Sequence, residues 1–139
     1  MNMSVPEVLA RYVFPVLGID DFHWDICRDG HCQGGTGLHI SCEDVAKLGL
    51  LYLGKGVYNG QRVLSEEWVE MATSKQTESK GGTPDWQAGY GFQFWRNAQE
   101  GFRADGAFGQ LCLVLPEREI VISVITETEE TKDEFDAIR

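Results

Sequence analysis

The stretch that decides the fold is Arg103-Ala-Asp-Gly-Ala-Phe-Gly-Gln-Leu-Cys-Leu-Val-Leu-Pro-Glu-Arg-Glu-Ile-Val-Ile-Ser-Val-Ile-Thr126. It contains two apolar runs, 103–115 and 120–126, and between them a short segment that begins with proline and continues with charged residues. A proline after a strand followed by a short charged turn is typical of a connection between antiparallel strands. The stretch therefore predicts two strands paired as a hairpin.

A third strand is predicted just upstream, over 89–96. Aromatic side chains recur there at the alternate positions Tyr90, Phe92 and Phe94, which is the period-two pattern of a strand with one packed face. The resulting three-stranded sheet has apolar residues on both faces, so it needs cover on two sides. We expect this chain to supply only one of the two covers.

Upstream of the sheet, the apolar spacing indicates three helices. The first is predicted over 5–16, and the second begins after an N-cap at Ser41. The third begins after an N-cap at Ser65 and runs to about Thr73, with glutamates in its first turn. The helices thus fill the first part of the chain.

The whole chain, 1–139, is interpreted as a single partial domain of the α+β class, with helices followed by a three-stranded antiparallel sheet. Its helical part is 1–75, a polar linker with Gly-Gly-Thr-Pro occupies 76–88, the strands occupy 89–126, and 127–139 is a truncated helical tail.

Charge and composition exclude several partners. The net charge of -10 opposes binding to nucleic acid or to an anionic membrane, because phosphate binding needs the opposite excess. The start has no positive segment followed by an apolar run, and no stretch approaches the about 18 apolar residues of a membrane span. As given, the chain is expected to be cytoplasmic and to need no cofactor.

One loop is rich in potential metal ligands. Cys27 and Cys32 lie close in sequence, with His23 and His31 nearby, and thiolate and imidazole groups suit zinc. The spacing matches zinc-ligand motifs poorly because a second cysteine pair is missing. Free thiols or a local disulfide are favoured over a small metal-binding module, so no metal site is predicted.

A nucleophile motif is absent from the sequence. None of the serines, at positions 4, 41, 65, 74, 79 and 123, is followed three residues later by lysine. The sequence contains no Gly-x-Ser-x-Gly elbow and no Tyr-x-Asn triplet either. These residues therefore predict no attacking group for acyl transfer.

Glycines at 106 and 109 stand out because they interrupt a predicted strand. One interpretation is a bulge or a bent strand. The other is a strand edge that offers a backbone N–H to an oxyanion, which needs small residues beside it. From this segment alone, both interpretations stay open.

Eight phrases together resemble the C-terminal part of the serine beta-lactamase and penicillin-binding protein superfamily, closest to its class C and esterase-like branch. They keep the family's order along nearly the whole chain. The phrases are Phe14-Pro-Val-Leu-Gly-Ile-Asp20, Gly34-Gly-Thr-Gly-Leu38, Glu43-Asp-Val-Ala-Lys-Leu-Gly49, Leu51-Tyr-Leu-Gly-Lys-Gly56, Tyr58-Asn-Gly-Gln-Arg62, Ser65-Glu-Glu-Trp68, Gly89-Tyr-Gly-Phe-Gln-Phe-Trp95 and Asp105-Gly-Ala-Phe-Gly-Gln110.

The resemblance implies an incomplete beta-lactamase/transpeptidase-like fold and a set of site residues. Ala104, Asp105 and Gly106 stand where the family has Lys-Thr-Gly or His-x-Gly at the substrate, and the backbone N–H of Ala107 would form half of the oxyanion hole. Position 104 lacks the family's lysine or histidine. Asp105 brings a carboxylate that would repel developing negative charge.

The resemblance also implies what these residues lack. The family's nucleophile comes from Ser-x-x-Lys and a further proton-handling group from Tyr-x-Asn, and neither motif occurs here. The chain is therefore expected to be an inactive hydrolase fragment, taking a small-molecule acyl substrate only if completed. Its expected partners are a second copy of itself or a separate N-terminal half, because unpaired sheet edges template strand addition.

Overall fold

The computed structural model describes residues 3–80 and 84–127, in which helices come first and a larger sheet follows. The helices are α1 Val5–Tyr12, α2 Phe14–Leu17, α3 Cys42–Leu53, α4 Glu66–Thr73 and α5 Pro84–Gln87, with a 3-10 turn at Pro116–Arg118. The strands are β1 His23–Trp24, β2 Leu38–His39, β3 Val57–Tyr58, β4 Gln61–Arg62, β5 Trp95–Arg96, β6 Phe102–Gly106, β7 Gln110–Leu115 and β8 Ile120–Ile125.

The main sheet is antiparallel with the order β5-β6-β7-β8, and β1-β2 and β3-β4 form two separate small hairpins. The α+β class is confirmed, with four strands in the sheet rather than three. The extra strand arises because 103–115 is not one strand: the chain reverses at 107–109, where Phe108 has φ 65° and Gly109 has φ 85°. The predicted strand over 89–96 is reduced to β5.

The charged turn after β7 is confirmed as the 3-10 turn, which joins β7 and β8 as a hairpin. Other sequence predictions changed in detail. The helix expected over 5–16 is split into α1 and α2 at Val13, next to Pro15. The predicted linker contains α5, and Thr77 pairs with Tyr90. Apart from Glu127, the predicted tail lies outside the described residues.

Helix α3 covers one face of the sheet. Its N-cap is Ser41, as predicted, because the Ser41 side chain accepts a hydrogen bond from the backbone N–H of Asp44. Gly49 brings the helix close to the sheet: a Cβ at this position would lie 2.6 Å from Val121 Cγ1. Beneath the helix, the buried residues Phe102, Cys112 and Val114 form the sheet half of the core.

A second core cluster ties the N-terminal helices to α3. Phe14, Leu17 and Ile19 are buried there together with Leu51 of α3. Gly18 closes α2 in the left-handed conformation, with φ 63°. Both clusters lie on the α3 side of the sheet, and on the other face the described residues place the short helix α5, whose Trp86 ring lies against Arg103. No helix in the described part of the chain combines the length and apolar character needed to cross a membrane.

Candidate active site

The end of β6 has an open backbone edge. β5 pairs with only two residues of β6, Phe102 and Arg103. β7 pairs with all five, including Ala104, Asp105 and Gly106. In the described parts of the chain, the last three residues of β6 therefore have a partner strand on one side only. This is the arrangement expected of a strand whose backbone groups are offered to a ligand.

Ala107, the residue predicted to form half of the oxyanion hole, lies at the tip of this open edge. It is the first residue of the turn between β6 and β7, and it is exposed. A contact from just after β8 holds the turn in place, because the backbone N–H of Thr126 donates to the carbonyl oxygen of Gly109 at 3.1 Å. Gly109 is thus a turn residue, which excludes the bent-strand interpretation for it.

The three predicted substrate-binding residues do not share one face of the sheet. Ala104 packs toward the core cluster under α3. Side chains alternate along a strand, so Asp105 points to the opposite face. Gly106 ends the strand, and a Cβ at that position would lie 2.9 Å from Gln110 Oε1. The backbone of the triplet, rather than a common surface of side chains, is what faces the open edge.

Asp105 is held in an ion pair that the sequence did not indicate. Arg103 Nε lies 3.3 Å from Asp105 Oδ2, and the side chains are 1% and 9% exposed. Arg103 also donates to Asn97 Oδ1 at 2.7 Å and lies over the Trp86 ring at 4.9 Å from its centroid. The positive charge of the guanidinium offsets the negative charge of the carboxylate. Asp105 should therefore repel a nearby oxyanion much less than a lone carboxylate would.

A cavity of about 370 Å³ lies on the face of the sheet opposite α3. Leucines of β7 form its apolar floor, and the polar side chains of Arg103, Asn97 and Glu100 stand at its wall. The floor residues are Leu111, Leu113 and Leu115. Pro84 and Asp85 of α5 also line the cavity, so this short helix partly covers the sheet face opposite α3.

Five of the six serines have structural partners. Ser4, Ser41 and Ser65 cap helices through their side-chain oxygens. Ser74 donates to the carbonyl oxygen of Met71, and Ser123 accepts from the Cys42 thiol at 3.4 Å. Within the described residues, no serine hydroxyl is hydrogen-bonded to a lysine or histidine side chain.

Cys27 and Cys32 are both free thiols. Ile26 pairs with Cys32 in an antiparallel bridge, which places Cys27 and Cys32 on opposite faces of that hairpin. Backbone N–H groups, first that of His31, lower the pKa of the Cys27 thiol. In 3–80 and 84–127, no group of three or more His, Cys, Asp or Glu side chains is placed to hold a metal ion.

Comparison with known proteins gives two kinds of likeness. A family model described as Beta-lactamase matches residues 2–139. A solved structure from Bacillus anthracis, designated provisionally as a 6-aminohexanoate-dimer hydrolase, superposes with a TM-score of 0.81 at 22% identity, covering 99% of this chain and 36% of that chain. An octameric penicillin-binding protein homologue from Pyrococcus abyssi gives 0.65 at 17% identity, covering 88% and 33%.

These solved structures are much longer than the chain, which spans about a third of their length (36% and 33%). At such identities the likeness shows a shared fold. A comparison with curated protein sequences gave no significant match.

Proposed function

The chain belongs to the beta-lactamase family, and from this premise we propose that it supplies the oxyanion side of a serine hydrolase site. The reaction class is acyl transfer, with hydrolysis of an amide or ester. The B. anthracis neighbour is named for the hydrolysis of a 6-aminohexanoate dimer, which belongs to the same class. The proposed role for this chain is to bind the carbonyl oxygen of such a substrate.

The observation that carries the proposal is the open edge at the end of β6. Ala107 is exposed and directly follows three residues that have a partner strand on one side only. A preorganised backbone N–H stabilises developing negative charge without reorganisation during the reaction, and this is the role proposed for Ala107 N–H. The small residues Gly106 and Ala107 leave room for a substrate carbonyl beside the backbone.

Substrate recognition would differ from the family pattern at the first residue of the triplet. Ala104 carries no cation, and its side chain packs toward the core cluster under α3. The nearest cation in the strand, Arg103, is occupied by Asp105 and Asn97. We therefore expect the site to have no preference for a substrate carboxylate at this position.

Acyl transfer also needs a nucleophile that these 139 residues do not supply. Ser-x-x-Lys and Tyr-x-Asn are absent, and the side-chain oxygens of Ser4, Ser41 and Ser65 cap helices. The isolated chain should therefore give no turnover of nitrocefin or of short p-nitrophenyl esters above a no-protein blank. An active class C beta-lactamase serves as the positive control. Turnover that co-purifies with the chain would contradict this expectation.

The partner that would complete the site is a polypeptide carrying both missing motifs. Mixing such an N-terminal half with this chain should generate esterase activity. Replacing Ala107 by proline removes the backbone N–H and should lower kcat by about 10²–10³, whereas Ala107→Gly keeps it and should retain activity. Equal activity of the two variants would exclude Ala107 as the oxyanion donor.

A second candidate function is self-association through β8. This strand, Ile-Val-Ile-Ser-Val-Ile, pairs with β7 on one edge, and no described strand covers its other edge. Its six residues carry no charge and no proline, which is the composition that templates strand addition. The occupant proposed for this edge is β8 of a second copy, paired antiparallel across a two-fold axis.

Light scattering tests the self-association. The chain should be dimeric at micromolar concentration, and Ile125→Lys should shift it toward monomer because a charge opposes edge-to-edge pairing. Leu50→Lys is the matched control, since Leu50 on α3 and Ile125 are both 43% exposed. A strict monomer, or dissociation by both variants alike, would contradict pairing through β8.

A further inference from the structure

Three large apolar side chains are exposed together at the surface of α4. Trp68 and Met71 lie three residues apart on this helix, which makes them neighbours on its surface, and Phe92 lies in the loop before β5. The rings of Trp68 and Phe92 stack, with centroids 5.8 Å apart and an angle of 21° between their planes. The three residues are 41%, 42% and 42% exposed. They are called the α4 patch below.

The α4 patch is attached to the rest of the protein on two sides. The Trp68 side chain is hydrogen-bonded to that of Tyr52, a partly buried residue of the core under α3. Phe92 N–H donates to the carbonyl oxygen of Ala72 at 2.8 Å. Gly91 permits this close approach, since a side chain there would collide with the same carbonyl oxygen. The patch is thus held in place before a partner arrives, which reduces the entropy lost on binding.

Acidic side chains border the α4 patch. Glu67 and Glu70 are exposed on the same helix, and Glu67 precedes Met71 by four residues, so the two lie side by side. Glu66 pairs with Lys55 at 2.7 Å, and Glu70 lies 3.9 Å from the same ammonium group. Glu67 forms no ion pair among the described residues. The border of the patch therefore carries negative charge that is available to a partner.

We propose that the α4 patch binds a basic, amphipathic peptide segment of another protein. Aromatic side chains and methionine are enriched in the centres of protein interfaces, and the rims are polar. Apolar side chains of such a segment would cover Trp68, Met71 and Phe92, and its lysines or arginines would pair with Glu67 and Glu70. This charge complementarity speeds association and disfavours acidic partners.

A second copy of this chain fits the α4 patch less well than a basic segment. Pairing across a two-fold axis would place the acidic border of one copy against the same border of the other. Each chain also has a net charge of -10. Like charges brought together across an interface oppose binding. The patch shares no residue with the candidate active site, so the proposal is independent of the hydrolase function.

Fluorescence anisotropy tests the proposal with the full chain and a labelled synthetic peptide that repeats Lys-Leu-Leu-Lys three times. The wild-type chain should bind this peptide saturably, and a peptide with glutamate in place of lysine should not bind. Phe92→Ser should weaken binding roughly tenfold or more, as expected of an aromatic residue at the centre of an interface. Glu67→Lys should also weaken binding, because it replaces an attractive charge by a repulsive one.

Two matched variants serve as controls, and circular dichroism verifies the folding of each protein. Tyr12→Ser removes an aromatic residue of α1 that is 48% exposed, and Glu117→Lys makes the same charge change at an exposed glutamate elsewhere. Both should bind the peptide like wild type.

Three results would overturn the proposal. The first is the absence of saturable binding by the wild-type chain. The second is an equal loss of affinity in Glu67→Lys and Glu117→Lys with none in Phe92→Ser, which would show attraction by net charge alone. The third is a dimer that Phe92→Ser dissociates and Ile125→Lys does not, which would assign the patch to a second copy.

Discussion

Replacing Arg103 by methionine tests whether the sheet depends on the buried charge beside the candidate site. The guanidinium is 1% exposed and contacts Asp105 Oδ2 at 3.3 Å, Asn97 Oδ1 at 2.7 Å and the ring of Trp86. Methionine keeps a long apolar stem in the same space but removes the charge and the hydrogen-bond donors. The Asp105 carboxylate, 9% exposed, then loses its counter-ion.

The expected loss of stability follows from the loss of that counter-ion. Removing one partner of a buried ion pair costs about 3–5 kcal/mol, chiefly because the other charge stays buried without compensation. The double variant Arg103→Met with Asp105→Asn leaves no buried charge without its counter-ion. Its free energy of unfolding should therefore fall less than that of Arg103→Met alone. This ordering of single and double variants is specific to a buried pair.

Urea unfolding followed by tryptophan fluorescence measures these differences. Lys55→Ala is the control, because the Lys55–Glu66 pair is even closer, at 2.7 Å, but its side chains are 61% and 48% exposed. Solvent screening makes such a pair contribute little. The reasoning is refuted if Arg103→Met loses no more stability than Lys55→Ala, or if adding Asp105→Asn recovers nothing.

Three further predictions concern packing and titration. Gly49→Ala should destabilise the chain, because the added Cβ would lie 2.6 Å from Val121 Cγ1. The overpacking cost of about 1–3 kcal/mol outweighs a helix-propensity gain of about 1 kcal/mol. A raised melting temperature would contradict this prediction. Iodoacetamide should label Cys27 first and Cys112 last. Backbone N–H groups lower the pKa of Cys27, while burial raises the pKa of Cys112 to about 11. Equal labelling rates in peptide mass spectrometry would count against this prediction. The hydrogen bond from Lys47 lowers the pKa of Asp44, so its stabilisation is present above the unfolded pKa and is lost as pH falls through the folded pKa. Asp44→Asn should therefore flatten the decline of the urea midpoint below about pH 5, and an unchanged decline would show that Asp44 does not contribute.

Local chemistry made much of the helical part predictable from the sequence. Ser41 and Ser65 were assigned as N-caps, and both side chains accept the hydrogen bonds that define a cap. A cap needs only a few consecutive residues, so the sequence carries the whole signal. The charged turn after β7 could be predicted for the same reason, because its signal lies in a few consecutive residues.

The sheet was harder to predict because one turn has no sequence signal. Phe108 adopts φ 65°, which is rare for a bulky residue, so nothing marked 107–109 as a reversal. The pattern of apolar residues therefore merged β6 and β7 into one strand. Because β6 and β7 were merged, the residues of β6 that pair with β5 could not be predicted either.

The surroundings of the candidate site depend on contacts between distant residues. The proximity of Arg103 and Asp105 follows from their spacing on one strand, but their burial depends on Trp86, which lies in the predicted linker. The His23–His39 pairing likewise joins the two ends of a segment that the sequence indicates as a loop. The roles of Ala104, Asp105, Gly106 and Ala107 stay predictions.

The most direct test of the central claim is intact-mass spectrometry of the isolated chain after incubation with a fluorophosphonate probe, and separately with penicillin. The claim is that these residues supply the oxyanion side of a hydrolase site but no activated serine. It predicts an unchanged mass under conditions in which an active class C beta-lactamase is fully acylated. A stoichiometric adduct mapped to any serine of this chain would contradict it.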